Sequence, residues 1–173
     1  MIDFTKAAKV RERPDSVLVH GTEYKIHTAF PHWVNFERVR IKKAVYADFD
    51  KLYKGKVPKD RETGYVELEK FWINEQPLPH PSKERSSVIV IDWKMDSEFI
   101  RAAFLEKYGI DLLTNDIHWH CFLGLFHALK DTAINNIIEA RMNKDKKDKY
   151  MEKMREAWQI ASGAPVKKSQ RKR

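Results

Sequence analysis

A chain of 173 residues with a net charge of +8 and a single cysteine, Cys121, suits about one domain and can bury a core without covalent staples. One cysteine excludes an internal disulfide, no apolar run approaches the roughly 18–20 residues of a membrane span, and charges interrupt the opening MIDFTKAAKVRERPDS where a secretory leader would be apolar, so a soluble protein in a reducing setting is expected. The closing KKSQRKR carries +5 by itself and leaves +3 on the rest, an ordinary solvated surface, so the basicity belongs to a tail over 163–173 that is expected to be disordered.

Residues 1–16 mix charges without periodicity and read as a flexible arm. Residues 17–27, VLVHGTEYKIH, predict a small β-hairpin turning at His20-Gly21-Thr22-Glu23, which must pack on something else because an isolated hairpin is marginal in water. Thr28 is a candidate cap for a helix entered through Pro31, a residue tolerated in a first turn. That helix runs to Asp50 with Trp33, Val34, Phe36, Ile41, Val45 and Phe49 on a broad apolar face, and Gly55 and Pro58 break the pattern. Residues 64–73 predict a shorter helix, with Tyr65, Leu68 and Trp72 at helical spacing. Pro77, Pro79 and Pro81 mark an exposed loop over 74–87. Four branched residues at 88–91 favour a strand, with a lead-in to the next helix as the alternative.

The stretch from Asp96 to Lys130 is the expected centre of the fold. Phe99, Ile100, Ala103, Phe104 and Tyr108 recur at three- and four-residue steps on one helical face. Asp96 or Ser97 can cap its start, and Gly109 can end it in a left-handed turn. In the following helix Ile117, Trp119, Cys121, Phe122, Leu123, Leu125, Phe126 and Leu129 leave almost no polar face, which predicts burial on most sides. A third helix is expected over 132–142, with Ala133, Ile134, Ile137, Ile138 and Met142 on one side. A fourth, over 144–161, carries a clean stripe of Tyr150, Met151, Met154, Ala157, Trp158 and Ala161, with Gly163 and Pro165 as stop signals. The whole predicts a mainly α protein: one helical domain over 17–162 with an N-terminal hairpin.

No constellation for chemistry stands out. His118, His120, Cys121 and His127 are metal-ligand residue types, but His118 and Cys121 share one helical face while His120 and His127 share another, and no His-x-x-x-His or Cys-x-x-Cys spacing occurs. Asp111, Asp116 and Asp131 flank helix ends, where carboxylates are far more often caps than catalysts. There is no glycine-rich phosphate loop and no serine elbow. The reading is a non-enzyme with no cofactor and no metal site. Nucleic-acid binding would want exposed aromatics among basic residues, whereas the aromatics here sit at core spacing. Lys42-Lys43 and Lys144 to Lys149 read as wet helix faces, which leaves Lys167, Lys168, Arg171, Lys172 and Arg173 as an electrostatic tail. On the last helix Met151, Met154 and Trp158 are the candidate partner-binding residues. They either seal the core or offer an adaptable, methionine-rich surface to another protein.

Several segments together resemble the phage gene-product-fifteen family, found in the tail operons of long non-contractile-tailed phages of Gram-positive bacteria. They are VLVHGTEYKIHTAFPHWVNF (17–36), Phe71-Trp72, AAFLEKYGIDL (102–112), HWHCFLGLFHAL (118–129) and YMEKMREAW (150–158), in that order. The resemblance implies a gene between those of the major tail protein and the tape-measure protein. By analogy of position it implies a tail assembly chaperone in the host cytoplasm, with the tape-measure protein and possibly other tail-operon products as partners, a homo-oligomer left open, and no membrane. The alternative is a nucleic-acid-binding accessory protein that uses the basic tail.

Overall fold

Val19 and Thr22 face each other across His20 and Gly21, whose φ angles of 49° and 75° are both positive. Two left-handed central residues give a two-residue turn the twist that joins antiparallel strands. The computed structural model describes residues 13–41, 46–74, 90–143 and 148–158, the side chains of 37–41 apart. Among them are two strands, β1 (Ser16–Val19) and β2 (Thr22–Lys25), and seven helices: α1 (Phe30–Ile41), α2 (Tyr46–Asp50), α3 (Arg61–Trp72), α4 (Ser97–Tyr108), α5 (Trp119–Ala128), α6 (Ala133–Met142) and α7 (Lys149–Ala157). The protein is therefore mainly α with an N-terminal hairpin, as the sequence predicts. The described residues fall into two compact units, 13–74 with 104–128, and 90–103 with 129–158.

In the first unit the hairpin buries Val17 and Val19 against α3 and turns Leu18 outward. The chain beyond α2 returns to β2, where Lys54 N–H donates to the Lys25 carbonyl at 2.8 Å and His27 N–H to the Leu52 carbonyl at 2.8 Å. α1 buries Trp33 and Phe36. Thr28, expected to cap α1, instead gives its carbonyl to the Trp119 N–H at 2.7 Å. Phe30 N–H donates to the Ile117 carbonyl at 2.9 Å, so the entrances of α1 and α5 are joined by backbone bonds on both sides of an Ala29–His118 bridge. The predicted run to Asp50 is described as α1 and α2; 42–45 lie outside the described residues.

α3 starts earlier than the spacing suggested because Asp60 caps it, Oδ1 accepting the Thr63 N–H at 3.1 Å. The centre of this unit is aromatic. Phe122 lies nearly parallel to Phe30, at 4.7 Å between ring centroids, and to Phe104, at 5.1 Å. Trp33 packs on Phe71 at 4.4 Å. Each fully buried large side chain contributes roughly 1.5–3 kcal/mol. Burial of α5 on most sides is an overstatement: Trp119, His120 and Phe122 are buried, but Cys121, Leu123, Leu125 and Phe126 are half-buried and Gly124, His127 and Ala128 exposed. An apolar sequence showed no polar stripe, yet only one face of this ten-residue helix meets the core. Gly109 ends α4 at φ 68° with its N–H on the Leu105 carbonyl, the left-handed cap that the sequence predicts.

In the second unit, Ser97 opens α4 and α6 buries Ile134, Ile137, Ala140 and Arg141. Thr132 begins α6, with the Asn135 side chain reaching back to its N–H at 3.3 Å. Asp148 caps α7 by accepting the N–H groups of Tyr150 and Met151, both at 3.0 Å. Residues 90 and 91 form no strand; 88 and 89 of that predicted strand, like 75–87 of the loop predicted over 74–87, lie outside the described residues.

Candidate functional site

The partner-binding candidates all lie on or beside α7, which packs on α6. Met151 and Met154 are half-buried, Tyr150 is 69% exposed, and α7 has no fully buried residue. Trp158, just past its end, is held twice. Its ring stands perpendicular to Phe99 at 4.9 Å, and its carbonyl accepts from Arg141 Nε at 2.9 Å. Trp158 is thus a seat for the helix end, while the methionines keep part of their surface in water. Lys167, Lys168, Arg171, Lys172 and Arg173 lie outside the described residues, as do Ala161, Gly163 and Pro165.

Sequence reasoning missed what anchors this region. Asp96 reads as a helix cap, and its carbonyl does accept the Ile100 N–H at 3.0 Å. Its side chain, however, is fully buried against Arg141, with Nη1–Oδ2 at 2.6 Å and Nη2–Oδ1 at 2.8 Å. Oδ2 also accepts the Asp92 N–H at 2.8 Å, and Arg141 Nη1 donates to the Val90 carbonyl at 3.0 Å. Arg141 sits in a run of isoleucines and alanine, and a lone arginine on an apolar face was the available signal. Ser97 does not cap either: its hydroxyl donates to the Lys94 carbonyl at 3.1 Å.

The histidines separate. His120 is buried and its Nε2 bonds the Phe71 carbonyl at 2.7 Å. Burial pushes its pKa down to about 4. His118 is half-buried and its Nε2 bonds the Pro14 carbonyl at 3.0 Å. His127 is exposed. No group of three or more histidines, cysteines or carboxylates able to hold a metal occurs among the described residues. The three aspartates do not cap. Asp111 closes a turn, Oδ1 accepting the Leu113 N–H at 3.0 Å and its carbonyl the Thr114 and Asn115 N–H groups; Asp116 is exposed; Asp131 has φ 55°, next to the true cap at Thr132.

Among the described residues, two of the concavities open on the first unit. One, of about 200 Å³, is lined by Pro31, His32, Asn35 and Phe36 of α1 and by Asp48, Phe49, Lys51 and Leu52 at and just past the end of α2. The other, of about 440 Å³, lies beside the hairpin and includes Tyr24, Lys56, Lys59, His20 and Asp60. His20 Nε2 is 2.8 Å from Asp60 Oδ2, but that carboxylate also takes the Thr63 hydroxyl and N–H. Those hydrogen bonds, Thr63 foremost, hold its pKa well below the usual carboxylate range. It is committed to capping α3. No described helix is long and apolar enough to cross a membrane.

Comparison with curated proteins returns no match, and comparison with solved structures returns none. The family model described as Bacteriophage Gp15 protein matches residues 11–162, which take in both compact units and the α7 face. The chain belongs to the Bacteriophage Gp15 protein family.

Proposed function

We propose that this bacteriophage protein is a tail assembly chaperone, without enzymatic activity, that holds the tape-measure protein in the host cytoplasm until the tail tube polymerises around it. The observation that carries the reading is the face of α7. A strongly amphipathic helix whose apolar residues are nowhere fully buried, with two methionines on its half-covered side, suits reversible contact with the apolar stripe of another helix. A long helical chain left bare with such stripes would aggregate. The family membership and the tail-operon setting implied by the sequence resemblance support the same role.

Co-expression with the neighbouring tape-measure gene tests it. The expected result is a tape-measure protein that is soluble and co-purifies only when this chain is present, with binding that tolerates salt. A tape-measure protein equally soluble alone overturns the proposal. Binding that instead falls steeply with salt, and goes to nucleic acid through residues 167–173, would favour the accessory-protein alternative.

A further inference from the structure

His118 stands one residue ahead of α5, and both of its ring nitrogens are engaged. Nδ1 lies 3.2 Å from the backbone nitrogen of His120. That nitrogen can only donate, so Nδ1 accepts and carries no proton. The ring proton is then on Nε2, which donates to the Pro14 carbonyl at 3.0 Å. The imidazole therefore does two things at once. It satisfies one of the first-turn N–H groups that a helix leaves without an internal partner, as an N-cap side chain does. It also fastens the segment 13–15, whose Asp15 carbonyl takes the Ile26 N–H at 2.9 Å and so continues the hairpin.

A second proton would undo the first role and leave the second, since Nε2–H goes on donating to the Pro14 carbonyl. Nδ1 would become a donor facing a donor, and the new charge would stand at the positive end of the α5 dipole. The surroundings offer little compensation. The fastened segment presents Arg13 and Asp15, of opposite sign. α3 presents only the Phe71 ring, at 5.8 Å, and α5 itself presents the His120 ring at 5.0 Å. Asp116 lies two residues upstream and is exposed. From the entrance of α1, His27 and His32 stack on each other at 4.6 Å. Burial, and then Arg13, lower the proton affinity of His118, against the Pro14 carbonyl and Asp15, which raise it.

We propose that His118 is a proton-sensitive latch on α5: neutral, with its proton on Nε2, it caps the helix from its seat on the Pro14 carbonyl, and protonation releases the cap while the ring stays on that seat.

The test is a nuclear magnetic resonance titration of the full chain from about pH 7.5 to about pH 4.5, across the range where an ordinary histidine titrates. Imidazole ¹⁵N shifts report the tautomer of His118, and hydrogen-exchange protection of the His120 and Ile26 amides reports the cap and the fastened segment. The expected result is an Nε2–H ring at neutral pH and, as the ring is protonated, a loss of protection of roughly fivefold or more at the His120 amide with the Ile26 amide unchanged. His118→Asn keeps a neutral cap acceptor at every pH, so its His120 amide should hold its protection throughout. A proton found on Nδ1 at neutral pH, His120 protection that stays flat while His118 titrates, or the same acid loss in His118→Asn would each overturn the latch.

Discussion

Asp96 and Arg141 meet through two parallel hydrogen bonds of 2.6 and 2.8 Å, with both side chains almost entirely removed from water. The pair ties the chain ahead of α4 to α6, and through the Trp158 carbonyl it reaches the end of α7. Taking one partner away leaves the other as an uncompensated buried charge. Arg141→Met or Asp96→Leu alone should therefore destabilise by about 3–5 kcal/mol, whereas the double replacement by apolar groups should recover much of that loss. Urea denaturation midpoints of the three variants decide it; a double-variant loss equal to the sum of the two single losses would mean the pair is not coupled.

Gly64 lies where α3 meets Tyr53. A Cβ there would sit 2.9 Å from the Tyr53 Oη and 3.2 Å from Pro58 Cγ, while the same hydroxyl donates to the Gly64 carbonyl at 3.0 Å. Gly64→Ala gains helix propensity, but overpacking of this kind costs about 1–3 kcal/mol, so the net change should be destabilising. Tyr53→Phe removes the obstructing oxygen. A double-variant cycle should then show the alanine costing less in the phenylalanine background.

At Gly109 the space is open and the backbone is the obstacle. No atom lies within 4 Å of an added Cβ, but φ is 68°. Gly109→Ala should cost about 1 kcal/mol, and Gly109→Asn less, because asparagine tolerates the left-handed region better. Thermal unfolding of the two variants gives the order.

The imidazole of His120 is a stability sensor of its own. Burial lowers its pKa to about 4, from an unfolded value near 6.5. A depressed pKa means that the folded state resists the proton. Its contribution is intact above the unfolded value and is lost as pH falls from about 6.5 towards about 4. His120→Gln should flatten that part of the stability–pH curve, measured by denaturation at closely spaced pH.

The two methionines and Trp158 should separate in a binding assay. Met151→Glu with Met154→Glu is expected to leave the fold intact, because both positions already touch water, and to weaken capture of the tape-measure protein at least tenfold. Trp158→Glu should instead unseat the end of α7 from Phe99 and lower helical content by circular dichroism. If the methionine pair binds as the parent does, the α7 face is not the contact surface.

Hairpin, helices and the glycine stop of α4 were legible because each rests on local chemistry: alternation at 17–19, three- and four-residue steps, a left-handed position that suits glycine. The aromatic centre was legible too, since Trp33, Phe104, Trp119 and Phe122 cannot all be left in water. What the sequence hid was pairing at a distance. Nothing near Asp96 marks it for Arg141, 45 residues on, and a carboxylate at a helix start resembles any cap. The extent of α5 burial was hidden for a related reason: an apolar helix does not say which of its faces the rest of the chain will reach. The split roles of Met151, Met154 and Trp158 depend on Phe99 and Arg141, whose positions no spacing on α7 discloses.

The backbone bonds between the entrances of α1 and α5 also set an order of events in synthesis. The Phe30 N–H finds its partner only at Ile117, about 87 residues later, which at roughly 5–20 residues per second is some 4–17 s of translation. Through that interval α1 stands outside the ribosome without α5, and Phe30 lacks the Phe122 ring on which it will stack. Truncated nascent chains ending before Ile117 should therefore recruit host holdases, and those extended past Ala128 should shed them.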